Sequence, residues 1–180
     1  MHRTLRKSFL ALLCAAAAFP VAACAAPPPE GILPLSAFPR ETLVVETRAA
    51  RRHVFEAWRT DTFRTRAQGL MFVEEIRRDQ AMIFVYDPPQ RVAMWMKNTL
   101  IPLDMLFVDE AGCVVKVHEQ ARPHSLDSIE SGSPVVLVVE IAGGAARELG
   151  IAAGDRVTRP EAGWPRQSRP CVPAPRAGTL

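Results

Sequence analysis

Leu103–His118 reads LDMLFVDEAGCVVKVH, and the way its middle is read decides the fold. Two apolar runs rich in β-branched and aromatic residues flank Asp109-Glu110-Ala111-Gly112, which has the composition of a hairpin loop. The runs Leu103–Val108 and Cys113–His118 are therefore expected to pair antiparallel. The same grammar recurs on both sides. Leu43–Glu46 and His53–Trp58 read as strands around an Arg-rich turn. Ala81–Tyr86 reads as a central strand buried on both faces, and Val92–Met96, Val135–Val139 and Arg156–Thr158 read as three more.

Only two short helices interrupt this pattern. Asp61 is the expected N-cap of one that stops at Gly69, and Gly143–Leu149 forms the other, closed by Gly150. Arg122–Pro134 is expected to be a long polar loop. Many short strands at close spacing with two short helices specify a mainly β, compact barrel- or sandwich-like domain.

The ends read differently. MHRTLRK is a basic segment, followed by the short Ala-rich apolar run SFLALLCAAAAFPVAAC, so residues 1–25 form an export leader. Two processing routes are open. Val21-Ala22-Ala23-Cys24 resembles a lipobox that would leave Cys24 as a lipidated N-terminus, and Ala23-Cys24-Ala25 suits the ordinary signal peptidase. A third outcome is an uncleaved anchor helix. Each places the domain outside the inner membrane, in the periplasm or tethered there by Cys24, and membrane contact is expected only through the leader or the lipid. Residues 26–41 form a Pro-rich extended linker, 42–159 the β-rich domain, and 160–180 a Pro/Arg-rich tail expected to be disordered or loosely draped. Cys113 and Cys171 remain beyond the leader; an oxidising compartment allows a bridge, and two free thiols are the alternative.

Composition excludes some functions. A chain of 180 residues that is 48% hydrophobic suits one domain with a sizeable core. Its 22 Lys and Arg are dispersed, its formal charge is +3, and it has a single Tyr, so no basic or stacking surface for nucleic acid is evident. No cofactor or metal is expected. Cys113, His118 and His124 have the wrong spacing for a common zinc site, and Met94 and Met96 suit a core better than a copper site.

The polar residues that periodicity leaves unexplained lie in AMWMKNTLIPLD, Ala93–Asp104, and at Glu140. Asp104 shares a strand face with Leu106 and Val108, and Glu140 ends an apolar run. A carboxylate drawn into a core requires a partner. Lys97 is the nearest cation in sequence to Asp104, within reach if the Pro102 turn folds back. In one arrangement Lys97, Asp104 and Glu140 are ion-paired loop anchors, with Asn98 and Thr99 bonding local backbone. In the other, Trp95, Lys97, Asn98, Thr99, Asp104 and Glu140 line the mouth of a small-ligand cavity.

Several segments carry a resemblance. Arg66-Ala67-Gln68-Gly69-Leu70-Met71, Met82-Ile83-Phe84, Trp95-Met96-Lys97-Asn98-Thr99 with Pro102-Leu103-Asp104, and Glu140 through Gly144 to Gly154-Asp155 are together similar to the domain of unknown function 192 family. The resemblance spans about Leu43 to Thr158. It implies a compact β-rich domain, often exported, with no established reaction, substrate or cofactor. Ala81, Met94 and Gly143 depart from the family pattern, where Gly, an aromatic and Ala are usual. Three functions follow as expectations: a periplasmic module binding a small polar, envelope-derived ligand; a hydrolase or lyase using Asp104 or Glu140 with Lys97; or an envelope structural or assembly factor.

Overall fold

The computed structural model describes residues 29–166 and 169–172; the expected leader and the expected processing at Cys24 lie outside the described residues. Nine strands and two short helices follow in chain order: β1 Arg40–Glu46, β2 Arg52–Thr60, α1 Phe63–Gln68, β3 Gln80–Gln90, β4 Ala93–Met94, β5 Leu103–Val108, β6 Val114–Ala121, β7 Ile129–Glu130, β8 Val135–Ala142, α2 Ala145–Leu149 and β9 Arg156–Thr158. The mainly β expectation holds. Seven strands form one sheet in the order β6-β5-β8-β3-β2-β1-β9, antiparallel throughout except where β2 and β3 run parallel, and β4 pairs with β7.

The sheet curls into a half-barrel whose two edges meet at one end. Cys113, just before β6, bridges Arg156 of β9, and Val157 N donates to Gly112 O at 2.8 Å. The hairpin read from Leu103–His118 is present, with Phe107 opposite Lys116 and Asp109 Oδ1 accepting from Ala111 N and Cys113 N. A carboxylate that caps its own turn in this way explains why an acidic residue is buried at the tip.

Strand alternation sorts the apolar residues into two cores, one on each face of the sheet. One contains residues from all seven strands, among them Leu43, Phe55, Ile83, Leu106, Val139 and Val157, and packs on α2. The other lies on the opposite face and gathers Trp58, Met82, Phe84, Met105, Phe107 and Val138 beneath Met94 and Met96.

Several local expectations shift. The strand read over Val92–Met96 contracts to Ala93–Met94, because its partner is only the two residues Ile129–Glu130 within the expected polar loop. The cap of α1 is Thr62 rather than Asp61: Thr65 N donates to Thr62 Oγ1, while the Asp61 carboxylate sits 3.1 Å from Arg59. The described part of the linker is not free, since Phe38 is buried and Leu33 and Leu35 pack on the second core. Gly143 approaches Pro102 so closely that a Cβ would lie 2.8 Å from the Pro102 Cβ.

The described part of the tail, residues 160–166 and 169–172, is anchored. Pro160–Ala162 form a 3₁₀ turn, Trp164 bridges Arg159, and Cys171 is joined to Cys113 by a disulfide. Arg169 adds a 2.7 Å bond to Asp109, so the described tail is pinned to the seam where the sheet edges meet. The bridge closes a loop with a sequence separation of 58, which restricts the unfolded chain. Cys171→Ser is expected to cost about 2–4 kcal/mol. Denaturant unfolding with and without reductant checks this, and an unchanged midpoint would show that the bridge contributes nothing to stability.

Candidate functional site

Asp104 and Glu140 sit on neighbouring strands, yet they point to opposite faces of the sheet. Register decides this: Asp104 is opposite Ile141, and Met105 is opposite Glu140. Ile141 belongs to the core that packs on α2, whereas Met82 and Met105, which flank Glu140 across the sheet, belong to the other. One cavity therefore cannot hold both carboxylates.

Asp104 is fully buried and its oxygens are engaged. Oδ1 accepts from Gln120 N at 2.8 Å and Gly144 N at 2.9 Å, and Oδ2 accepts from Ala146 N at 2.8 Å. Those amides belong to the end of β6 and the first turn of α2, where backbone N–H groups lack helical partners. The expected Lys97 partnership is thus replaced by three backbone donors. Asp104 is an anchor, and it does not line the cavity.

Glu140 has the opposite environment. It is 4% exposed, and among the described residues its side chain has no hydrogen-bond or ion-pair partner. Burial alone pushes its carboxyl up to about 8, so it is neutral and a potential O–H donor at neutral pH. It lines a cavity of about 410 Å³. Three parts of the chain build the walls. The sheet supplies Phe84, Tyr86 and Glu140, α1 and its exit supply Phe63, Arg66 and Met71, and the segment after β3 supplies Met94, Trp95, Lys97 and Thr99.

Of the residues singled out from sequence, the structure brings Trp95, Lys97, Thr99 and Glu140 together at this cavity and leaves Asn98 and Asp104 outside its lining. Trp95 is 51% exposed, with the Lys97 ammonium 5.4 Å from its ring centroid. Asn98 holds the wall. Its backbone takes φ 57°, its carbonyl accepts from Phe72 N at 2.9 Å, and its amide reaches Met71 Sδ at 3.8 Å. Thr99 is buried and its carbonyl accepts from His124 N at 3.2 Å, so the polar loop braces the turn from behind.

Arg66 and Tyr86 were not anticipated as site residues. Arg66 lies 5.3 Å from the Tyr86 ring centroid and donates through Nη1 to Val85 O at 2.9 Å. Burial, and secondarily the nearby Glu140, push the Tyr86 phenol up to about 12, against the opposing pull of Arg66. Its hydroxyl contacts Met94 Sδ at 3.6 Å. The signal that could have found Arg66 and Met71 was the Arg-x-x-Gly-Leu-Met segment, read only as part of a resemblance.

The model of DUF192, described as "Uncharacterized ACR", matches residues 44–159. The chain belongs to the DUF192 family. Two solved structures are similar to it, each at 36% identity with a TM-score of 0.67. One is a candidate transcription regulator from Sinorhizobium meliloti 1021, the alignment covering 68% of this chain and 95% of that one. The other is a protein of unknown function from Novosphingobium aromaticivorans DSM 12444, with 74% and 94% covered. No curated protein matches the chain. The cavity lies within the DUF192 region: every lining residue named above falls inside the matched span.

Proposed function

We propose that this DUF192 protein is an exported module that binds a small polar ligand in the Glu140 cavity. The observation that carries the reading is a buried carboxyl group, unpartnered in the described protein, at the wall of a cavity rather than in a closed core. Such a group costs stability unless something bonds to it, and at a cavity wall a ligand hydroxyl or amide can take the place of water. A volume of about 410 Å³ falls in the range of small-molecule sites, roughly 300–1,000 Å³. Trp95 offers an aromatic wall at the mouth, Lys97 a donor beside it, and Glu140 the inner polar group. The leader-like N-terminus supports export, and the Cys113–Cys171 bridge suits an oxidising compartment.

A thermal-shift screen against cell-envelope sugars and short peptides tests the reading. Trp95→Ala is expected to abolish the ligand-induced shift while leaving the unliganded melting temperature nearly unchanged, because the side chain is half exposed. Silence across the panel would remove the support for a binding module.

One observation favours a second reading. A carboxyl kept protonated at neutral pH beside a cavity suits a general acid, so Glu140 could serve a hydrolase or lyase. Asp104 is unsuited to that role, with both oxygens engaged by backbone donors. An activity that survived Glu140→Gln would dispose of this mechanism.

A further inference from the structure

We propose that the ligand of this cavity is an acidic sugar, its anionic group held by Arg66 and Lys97 at the mouth and a hydroxyl of its ring reaching Glu140; the inference rests on the binding role proposed above. The argument is one of charge. Two cations line the cavity, Glu140 is the single acidic residue that does, and among the described residues neither cation makes an ion pair. Since burial keeps Glu140 neutral at neutral pH, the site presents two positive charges and no negative one. A concave site of one sign attracts and orients a ligand of the other.

Arg66 is held in place before any ligand arrives, and Lys97 rests over an aromatic ring. Arg66 is fixed by its bond to Val85 O and by the Tyr86 ring, and its other N–H groups have no protein acceptor among the described residues. A planar guanidinium with free donors fits the paired oxygens of a carboxylate or phosphate. Lys97 stands over the Trp95 ring, so its charge lies beside the surface on which a sugar ring would pack. Polarity is therefore graded along the cavity. Lys97 is exposed at the mouth, Arg66 is half-buried, and the uncharged Glu140 carboxyl is the most buried of the three. An acidic group at the outer end and hydroxyls at the inner end match that order.

Isothermal titration of the disulfide-bonded protein near neutral pH tests this with three probes. N-acetylmuramic acid and N-acetylglucosamine differ by one carboxylate-bearing lactyl group, and N-acetylglucosamine 1-phosphate carries a phosphate instead. The acid is expected to bind about tenfold more tightly than the neutral sugar, a preference that shrinks with added salt. Lys97→Gln should remove most of that preference by weakening acid binding far more than neutral-sugar binding, and Lys97→Arg should keep it. Preference for the phosphate over the carboxylate would support the anion site and identify phosphate as the group recognised. Equal binding of charged and neutral sugars, or an acid affinity unmoved by Lys97→Gln, would overturn the inference and leave the binding role standing. No binding of any probe would overturn the inference, and the wider thermal-shift panel would then decide the binding role.

Discussion

Replacing Asp104 by alanine is expected to lower stability by roughly 3–6 kcal/mol, with no effect specific to ligand binding. The substitution leaves the amides of Gln120, Gly144 and Ala146 without their acceptor. Each buried donor left unsatisfied costs about 1–3 kcal/mol, and water can recover part of that only by entering a packed core. Two of the three amides belong to the start of α2, a helix of five residues too short to persist without an anchor. Asp104→Asn keeps one carbonyl oxygen and should cost less than alanine, although its amide would face a donor. Urea unfolding measures both, with a shifted midpoint and an unchanged slope as the expected pattern. A loss under about 1 kcal/mol for alanine would show that the three bonds do not carry the helix.

Glu140→Gln is expected to stabilise the protein at alkaline pH and to change it little in acid. The folded carboxyl is raised from its ordinary 4.5 to about 8, by burial. The folded state therefore holds a proton that the unfolded chain releases in that interval. By linkage, stability is full below about pH 4.5, declines as pH rises through about 8, and is flat above. The loss is on the order of 5 kcal/mol. Glutamine cannot ionise, so its curve should lack that decline, whatever constant cost its amide brings. Thermal or urea unfolding from about pH 5 to about pH 9 would show the wild-type and variant curves separating. Parallel curves would mean that Glu140 has a partner or that water reaches it freely. A residue whose removal improves stability is one retained for something other than folding, which links this measurement to the binding proposal.

Much of the scaffold was legible in the chain. Leu103–His118 forms the hairpin its turn residues demand, and Gly69 and Gly150 end the two helices where they should. These features depend on neighbours a few residues apart, so local sequence carries them. Val92–Met96 failed as a strand because a strand needs a partner, and the partner was two residues hidden in a polar loop. The described part of the tail is placed for a similar reason. Its composition is that of a disordered segment, but a covalent bond from Cys171 and an Arg169–Asp109 contact hold it in place.

The site divides in the same way. Sequence alone identified which residues were out of place: Asp104 and Glu140 as carboxylates among apolar neighbours, and Trp95, Lys97, Asn98 and Thr99 as a polar turn between apolar runs. It could not say which of them meet. Strand pairing alternates faces with every residue, so the one-residue offset that sets Met105, not Asp104, opposite Glu140 sends the two carboxylates to opposite sides of the sheet. Asp104 thereby becomes the acceptor for the start of α2, and Glu140 the unpartnered group beside Arg66, Tyr86 and Lys97. The chain determined that two acids would be buried; register, a property of paired strands and of neither strand alone, decided that one would anchor a helix and the other face a cavity.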